Sequence, residues 1–389
     1  MKLRSIEVWA QHVLDGYSHS SQTFKEALYS ESPNLVSAVM ERTCNLQCLH
    51  CLYPEEKTSA HISREVGLTD IVQNMVRQLP AGSSFLHAGR IVRPWHVEVL
   101  ASLRALRGSE IALGLIDNGS YTRLMKHFER LSLRLDWIDV SVDGDEFAHN
   151  AQRNSRNAYA AAREGIRMGR QVADKVTSLM TLTKLNSHTT QSVIETLLMS
   201  GEVDELHFTP ASPYGEQIVP LIMGVPETRA AFAGLQQVAA DAAIASKIFY
   251  RMYRVEDLEL LAQAIGHAAV REGLEQGIVD QGRILFHVNG VEVTYFPLSI
   301  WPQEEVLIDA DGTYRVAGSG QYSLEQYVRG EQNVSAYTAD QLTATSDLIA
   351  SYRKAVRHWW NFAGRQHLAQ ELNVIGRIMA HAEPQSDSV

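Results

Sequence analysis

Cys44, Cys48 and Cys51 are the only cysteines of the chain, and all three fall in one loop, Cys44-Asn-Leu-Gln-Cys48-Leu-His-Cys51. This C-x3-C-x2-C spacing gathers three soft thiolates in a short stretch of chain. Thiolates are the usual ligands of iron–sulfur clusters, and they also bind zinc. Structural zinc takes four ligands, and the sequence shows no second Cys/His cluster, although His50 or His61 would serve as a fourth. A [4Fe–4S] cubane has four irons, so three protein thiolates leave one iron open to a small molecule. Three cysteines do not make a disulfide framework. The start, Met-Lys-Leu-Arg-Ser-Ile-Glu-Val-Trp, has no apolar secretory stretch. Both features point to a reducing cytoplasm.

A loop of this kind needs a rigid support. Residues 1–33 read as a helical preamble. Leu35 to Met40 is a short apolar, β-rich run that leads directly into the cysteines. Strand-like and helix-like segments then alternate. Strands are expected at Ser84 to His87, Ile111 to Ile116, Trp137 to Val142, Val176 to Leu185 and Glu205 to Thr209. Helices are expected at Thr69 to Leu79, Trp95 to Arg107, Thr122 to Leu131, Ala158 to Gly169 and Ser192 to Ser200. Such alternation predicts a parallel sheet with covering helices. The fold class is therefore α/β: a partial (β/α)6 barrel over residues 34–225, with the N-terminal helical segment 1–33 before it and an α+β C-terminal extension, 226–389, after it. In the extension, Arg229 to Ile248 and Val255 to Glu275 read as long helices. Ile284 to Thr294 and Glu305 to Val316 read as hairpins around Asn289-Gly290 and Asp311-Gly312. Ala339 to His381 reads as mostly helical, and 383–389 as a disordered tail.

The cysteine spacing resembles the signature of the radical S-adenosylmethionine (SAM) superfamily, and the resemblance is strongest over residues 34–215. It implies a [4Fe–4S] cluster on Cys44, Cys48 and Cys51, with the open iron holding the amino and carboxylate groups of SAM. One electron then splits the sulfonium bond and releases a 5′-deoxyadenosyl radical. His50 stands where the family usually has an aromatic residue. Phe85-Leu-His-Ala-Gly-Arg-Ile-Val-Arg-Pro94 occupies the place of the family's Gly-Gly-Glu segment, which binds the SAM amino group. It keeps Gly89 and lacks the Glu, so carbonyls near Ala88 and Gly89 would accept from the ammonium. Asp117-Asn118-Gly119 is similar to the family's Thr-Asn-Gly turn, where Asn118 either lines the cofactor or takes the turn's left-handed conformation. Asp139-Val-Ser141-Val-Asp143-Gly144, followed by His149 and Arg153, looks like the Ser-x-Asp-Gly…His-x3-Arg stretch of peptide-maturing relatives. By that resemblance Ser141 meets the SAM ribose or carboxylate, and Arg153 pairs with the carboxylate through its planar fork. Asp143 reads as a turn cap. Asn186 is a candidate for the adenosine, and Phe208 or Thr209 for the adenine face or the core. All these positions end strands, where parallel βα architectures build their sites.

Relatives of this branch often add a C-terminal extension, the SPASM type, that holds auxiliary clusters. Val306 to Gly318 and Gln321 to Gly330 resemble its opening segments but contain no cysteine. The extension is therefore expected to be a degenerate one without a cluster. A net two-electron oxidation then lacks a built-in acceptor, and no thiol is left to donate hydrogen. A redox-neutral rearrangement, elimination or decarboxylation fits better. A cobalamin-dependent subclass is not expected.

The net charge of −10 argues against a general nucleic-acid partner. No apolar run is long enough for a membrane span. The expected substrate is a small polar metabolite, such as a sugar, amino acid or nucleoside; a ribosomal peptide is the alternative. The expected electron source is an external one-electron donor of the flavodoxin or ferredoxin type. The non-enzymatic alternative is an iron–sulfur binding or assembly protein with an inactive SAM site. The sequence singles out no catalytic residue. His87 and His207, at strand ends facing the cavity, read as acid–base groups or as hydrogen-bonded structural histidines. The aromatics Tyr295, Trp301 and the run His358 to Phe362 read as core or as a stacking wall, and Glu216 as a loop carboxylate.

Overall fold

Alternation of side chains along each strand explains how the sheet is covered. Val36, Phe85, Leu113, Leu115, Ile138, Val140, Val176, Met180, Leu206 and Phe208 are all at most 1% exposed and form one apolar core with the helices. The intervening positions face the other way, and many are polar: Asp139, Ser141, Thr177, Thr181, Glu205 and His207. The computed structural model describes residues 34–41, 43–51, 65–88, 92–213, 216–280, 283–297, 305–308, 314–317 and 365–380. The preamble 1–33, His61, Gly89, Tyr214, Trp301, the Asp311-Gly312 turn, Gln321 to Gly330, the run His358 to Phe362 and the tail lie outside them.

The first half follows the βα rhythm of the sequence. β1 (Leu35–Ala38), α1 (Glu65–Gln78), β2 (Ser84–His87), α2 (Pro94–Arg107) and β3 (Ala112–Asp117) come first. A 3-10 turn at Ser120–Leu124 runs into α3 (Met125–Arg130), followed by β4 (Leu135–Ser141), α4 (Glu146–Arg153) and α5 (Ala158–Val172). Next come β5 (Ala173–Leu182), α6 (Thr190–Val193), which continues as a π-helical turn over Ile194–Met199, and β6 (Glu205–Pro210). β1 through β6 pair in sequence order, all parallel. The N-terminal ends of the strands are pinned by a repeated device. Asp136 accepts from the Leu113 N–H at 2.6 Å and from Arg104 at 2.5 Å. Asp204 accepts from the Val176 N–H at 2.8 Å and from Arg170 at 2.7 Å.

The second half departs from the expected long helices. α7 (Val225–Ala239) stops short, a single turn follows at Ala242–Ala245, and Ile248 opens a strand, β7 (Ile248–Met252), parallel to β6. Ile248, Tyr250 and Met252 are buried while Phe249 and Arg251 are half-buried, a period of two rather than 3.6. The alanine-rich stretch before it carried the helical pattern too far. Val255 to Glu275 is likewise two helices, α8 (Val255–Ile265) and α9 (His267–Gln276), separated at Gly266. β8 (Ile278–Asp280), β9 (Arg283–Val288) and β10 (Val291–Tyr295) follow, the last two joined by the Asn289-Gly290 turn, and β10 lies parallel to β7. β11 (Glu305–Ile308) returns to pair in parallel with β1, and β12 (Tyr314–Ala317) pairs antiparallel with it. The result is one open sheet of order β12-β11-β1-β2-β3-β4-β5-β6-β7-β10-β9-β8. α10 (Arg365–Ala380) packs on α8 and α9. No described helix is long and apolar enough to cross a membrane.

Asp257 on α8 is 6% exposed, and burial pushes its carboxyl up to about 7 against the opposing charge of Arg254. The folded state therefore holds this proton more tightly than the unfolded chain, whose carboxyl titrates near 3.9. The stability gained from that proton is full below about pH 4 and is lost as the pH rises through about 7. Urea unfolding of Asp257→Asn against wild type across that window checks this: the substitution should remove part of the decline in stability with rising pH.

Candidate functional site

β1 delivers the three cysteines to the C-terminal edge of the sheet. Their thiols are half-buried and unbridged. The loop is held by backbone and side-chain bonds: the Leu49 N–H donates to the Gln152 carbonyl at 2.9 Å, and the Cys51 N–H to the Cys48 carbonyl at 3.3 Å. The Leu46 N–H points at Cys44 Sγ at 3.4 Å. Asn118, in the turn after β3, donates from Nδ2 to Asn45 Oδ1 at 3.0 Å, so it braces the cysteine loop. Asn118 is followed by Gly119, whose φ of +95° and close approach to the Ala161 carbonyl (2.4 Å from an ideal Cβ) leave no room for a side chain.

Beneath the loop lies a fully buried carboxylate, Asp143, two residues past the end of β4. Its Oδ2 is 2.5 Å from Arg153 Nε and 3.5 Å from His50 Nε2. Its Oδ1 accepts from the Thr181 N–H at 2.9 Å, and its own N–H donates to His149 Nδ1 at 2.8 Å. Burial alone would raise the Asp143 carboxyl, but Arg153, His50, His149 and the Thr181 N–H outweigh it and hold the acid below its ordinary range. Burial disfavours the Arg153 cation, yet Asp143 and Cys48 more than compensate, so it stays charged. His149, buried and with Nδ1 accepting, is pushed down to about 4 and is neutral. The Asp143-Gly144 turn permits this geometry: Gly144 has φ +127°, and a Cβ there would meet Ala148 and Thr189 at 2.9 Å.

Arg153 closes the link to the cysteines, with Nη1 3.7 Å from Cys48 Sγ. Burial pushes the Cys48 thiol up and Arg153 opposes it. Arg153 is carried by α4, whose N-cap Asp145 accepts from the Ala148 N–H at 2.9 Å. Gln152, its neighbour, donates to the Thr181 carbonyl at 3.0 Å and accepts from Thr183 Oγ1 at 2.6 Å.

The other residues singled out in the sequence are placed as follows. Ser141 ends β4 half-buried on the same face as Asp143. Ala88 lies just past β2, its N–H donating to the Ala38 carbonyl at 2.9 Å. Asn186 is fully buried; Nδ2 donates to the carbonyls of Asp143 (3.0 Å) and Thr181 (2.8 Å), and Oδ1 accepts from the Thr183 N–H at 2.7 Å. Its amide braces the Asp143 turn. Phe208 is in the core, on the helix-facing side. His87 also faces the helices: its ring meets His96 of α2 at 4.6 Å, and its Nδ1 donates to the Ala38 carbonyl at 3.2 Å. It does not face the cavity side. The turn cap expected at Asp143 is instead the junction of the site; an acid followed by His at six and Arg at ten residues is its signal in the sequence.

The inner face of the sheet carries a polar layer. Asp139 accepts from Trp137 Nε1 at 3.1 Å and from Thr177 Oγ1. Glu205 pairs with Lys175 at 2.5 Å and with His207 Nε2 at 3.3 Å.

A [4Fe–4S] cluster fits the three thiols on two grounds. Among the described residues, no three His, Cys, Asp or Glu side chains converge closely enough to hold one metal ion. One zinc would demand sulfurs about 3.8 Å apart, from Zn–S bonds of about 2.3 Å; a cubane binds each thiolate to a different iron and spreads them further. The buried Arg153 cation beside Cys48 also suits a ligand set of thiolates.

This open sheet, parallel in its central strands, shares its fold with solved radical SAM enzymes. Streptococcus suis SuiB bound to its precursor peptide SuiA matches with a TM-score of 0.56 at 10% identity, over 98% of this chain and 72% of that one. SuiB bound to S-adenosylmethionine matches with 0.55 at 11%, over 86% and 70%. The native anSMEcpe structure with bound AdoMet matches with 0.51 at 13%, over 88% and 100%. At these identities the likeness is one of fold. No family profile and no curated protein sequence matches the chain.

Asp143→Ala leaves Arg153 as a buried, unpaired charge, which should destabilise the protein by about 3–5 kcal/mol. Asp143→Asn, which keeps the shape and an acceptor for the Thr181 N–H, should lose less. Urea melts of the two variants check this; losses below about 1 kcal/mol in both would deny the ion pair its structural weight.

Proposed function

We propose that this chain is a radical SAM enzyme with one [4Fe–4S] cluster on Cys44, Cys48 and Cys51. The observation that carries the reading is the placement of the three thiols at the C-terminal end of β1, directly above the Asp143–Arg153 pair. The cluster, when bound, supplies an electron that splits SAM into methionine and a 5′-deoxyadenosyl radical able to take hydrogen from a substrate carbon. The protein's own part is positioning. Asp143 fixes the Arg153 guanidinium, the fixed cation for an anionic group at the rim. Ser141, at the end of β4, presents a hydroxyl on the same side. Asn118 holds the cysteine loop, and the Ala88 carbonyl, just past β2, is offered to an ammonium group. An external one-electron donor of flavodoxin or ferredoxin type supplies the reductant.

The substrate is a small polar metabolite, and the reaction a redox-neutral rearrangement, elimination or decarboxylation. The polar inner face of the sheet supports this, because a face lined by Asp139, Thr177, Glu205 and His207 suits hydrogen-bonding groups rather than an apolar chain. A second reading, maturation of a ribosomal peptide, is favoured by the fold shared with SuiB, which was solved with a precursor peptide.

The deciding experiment is anaerobic reconstitution with iron and sulfide, followed by SAM and dithionite. Wild type should bind about four irons per chain, show the absorption of a [4Fe–4S] centre and release 5′-deoxyadenosine. Cys44→Ala, Cys48→Ala and Cys51→Ala should each lose cluster and product to background. An intact cluster in wild type without 5′-deoxyadenosine would favour an iron–sulfur binding protein instead.

A further inference from the structure

Arg251 occupies an inner-facing position on β7 and is half-buried. Its guanidinium makes no ion pair or hydrogen bond with any described residue. The carboxylates sharing this face are committed elsewhere. Asp139 is bonded to Trp137 and Thr177, Glu205 to Lys175 and His207, and Glu292 lies 4.0 Å from His287. A partly desolvated cation without a partner is unfavourable, and proteins keep such charges paired. Among the described residues, this face is short of one anion.

His207, on the neighbouring strand β6, supplies the second observation. It is 7% exposed, and its Nδ1 has no hydrogen-bond partner among the described residues. Its other nitrogen, Nε2, faces Glu205, whose carboxylate can only accept, so the ring proton sits on Nε2. Lys175 holds Glu205 in place, and the His207 ring leans on Phe249 with centroids 5.0 Å apart. Nδ1 is thereby fixed as a lone pair, an acceptor awaiting a donor. Burial and the Arg251 charge both favour the neutral ring.

The two groups are neighbours in the sheet. Leu179, His207 and Phe249 share one rung, level with Ser141. Thr181 and Thr209 pair on the rung above, and Thr181 binds Asp143. One residue beyond the pairing of Phe208 with Tyr250, Arg251 stands at that same level, opposite Thr294 on β10. Arg251 therefore lies at the height of the Asp143–Arg153 pair, three strands along a continuous inner face from β4 to β7.

We propose that Arg251 and His207 form a substrate subsite for an anionic oxygen group, carboxylate or phosphate, that carries an O–H or N–H donor beside it. Arg251 takes the anion through its planar fork. His207 Nδ1 accepts the adjacent hydroxyl or amine hydrogen. A hydroxy acid, an amino acid or a phosphorylated sugar meets both demands; a neutral apolar ligand meets neither. The subsite is defined by charge and hydrogen bonding alone. It rests on the radical SAM reading only in its assignment to that enzyme's substrate.

The test uses the full-length protein without SAM, titrated with glycolate, acetate, inorganic phosphate and ethylene glycol and followed by ligand-observed NMR. Glycolate and phosphate should bind saturably in the millimolar range, glycolate more tightly than acetate, and ethylene glycol not at all. Arg251→Gln should weaken glycolate and phosphate by roughly tenfold or more, as expected for loss of a charge-assisted hydrogen bond, with Arg251→Lys intermediate. His207→Phe should bring glycolate down to acetate without weakening acetate further. Thermal melts of each variant establish folding; if Arg251→Gln proves unstable, the Arg251→Lys and His207→Phe arms still decide. Absence of saturable anion binding in wild type overturns the subsite, as does equal binding in folded Arg251→Gln. Wild type that binds glycolate yet releases no 5′-deoxyadenosine from SAM in the reconstituted assay would refute the radical reading and leave the subsite standing. Preference for phosphate over glycolate would identify a phosphate ester as the source of the anion, and the reverse a carboxylic acid.

Discussion

The contact between Asp143 and Arg153 governs the rest of the site. A buried carboxylate and a buried guanidinium are each unfavourable alone, and each is tolerable only because the other is there. The pair also has geometric reach. Asp143 touches His50 from the cysteine loop, Thr181 from β5 and His149 from α4. Arg153 extends it to Cys48. One ion pair thereby ties the first strand's loop to the fourth and fifth strands. The turn beneath it is braced by Asn186 and allowed by Gly144.

The sheet separates two environments by parity alone. Residues on one side of β1 to β7 are mostly apolar and covered by helices; many on the other are polar, and several of these hydrogen-bond to one another. This division lets a single sheet be both core and cavity wall, as a parallel βα architecture requires. It also explains why stability and chemistry lie on alternate residues of the same strand. Phe208 is core and His207 is wall; Val140 is core and Ser141 is rim.

The first six strands were readable from sequence because they are short, largely apolar runs bounded by turn residues, and most of the helices between them are amphipathic; the short helix Glu146–Arg153 was not readable. β7 was not, because Ile248-Phe-Tyr-Arg-Met follows an alanine-rich stretch whose helical propensity masks the change of period. The cysteine loop was legible from spacing, since ligand type and interval are local. The role of Asp143 was not, because its partners come from the cysteine loop, α4 and β5. His87 shows a different limit: a strand's hydrophobic pattern gives two faces but not which of them looks inward when both are buried. Only register against β1 and contact with His96 decide that. The return of β11 to β1 is a pairing across some 270 residues, beyond the range of any periodicity.

That return has a consequence for how the protein is made. β1 leads into the cysteine loop, yet one of its two edges is completed only by β11, through the register Leu35 to Glu305 and the bond from the Val39 N–H to the Ile308 carbonyl at 2.8 Å. During synthesis the strand that leads into the cysteine loop waits with an open edge until residues 305–308 have left the ribosome. Contacts of such sequence separation form late. The edge that supports the cysteine loop is therefore among the last parts of the described sheet to close.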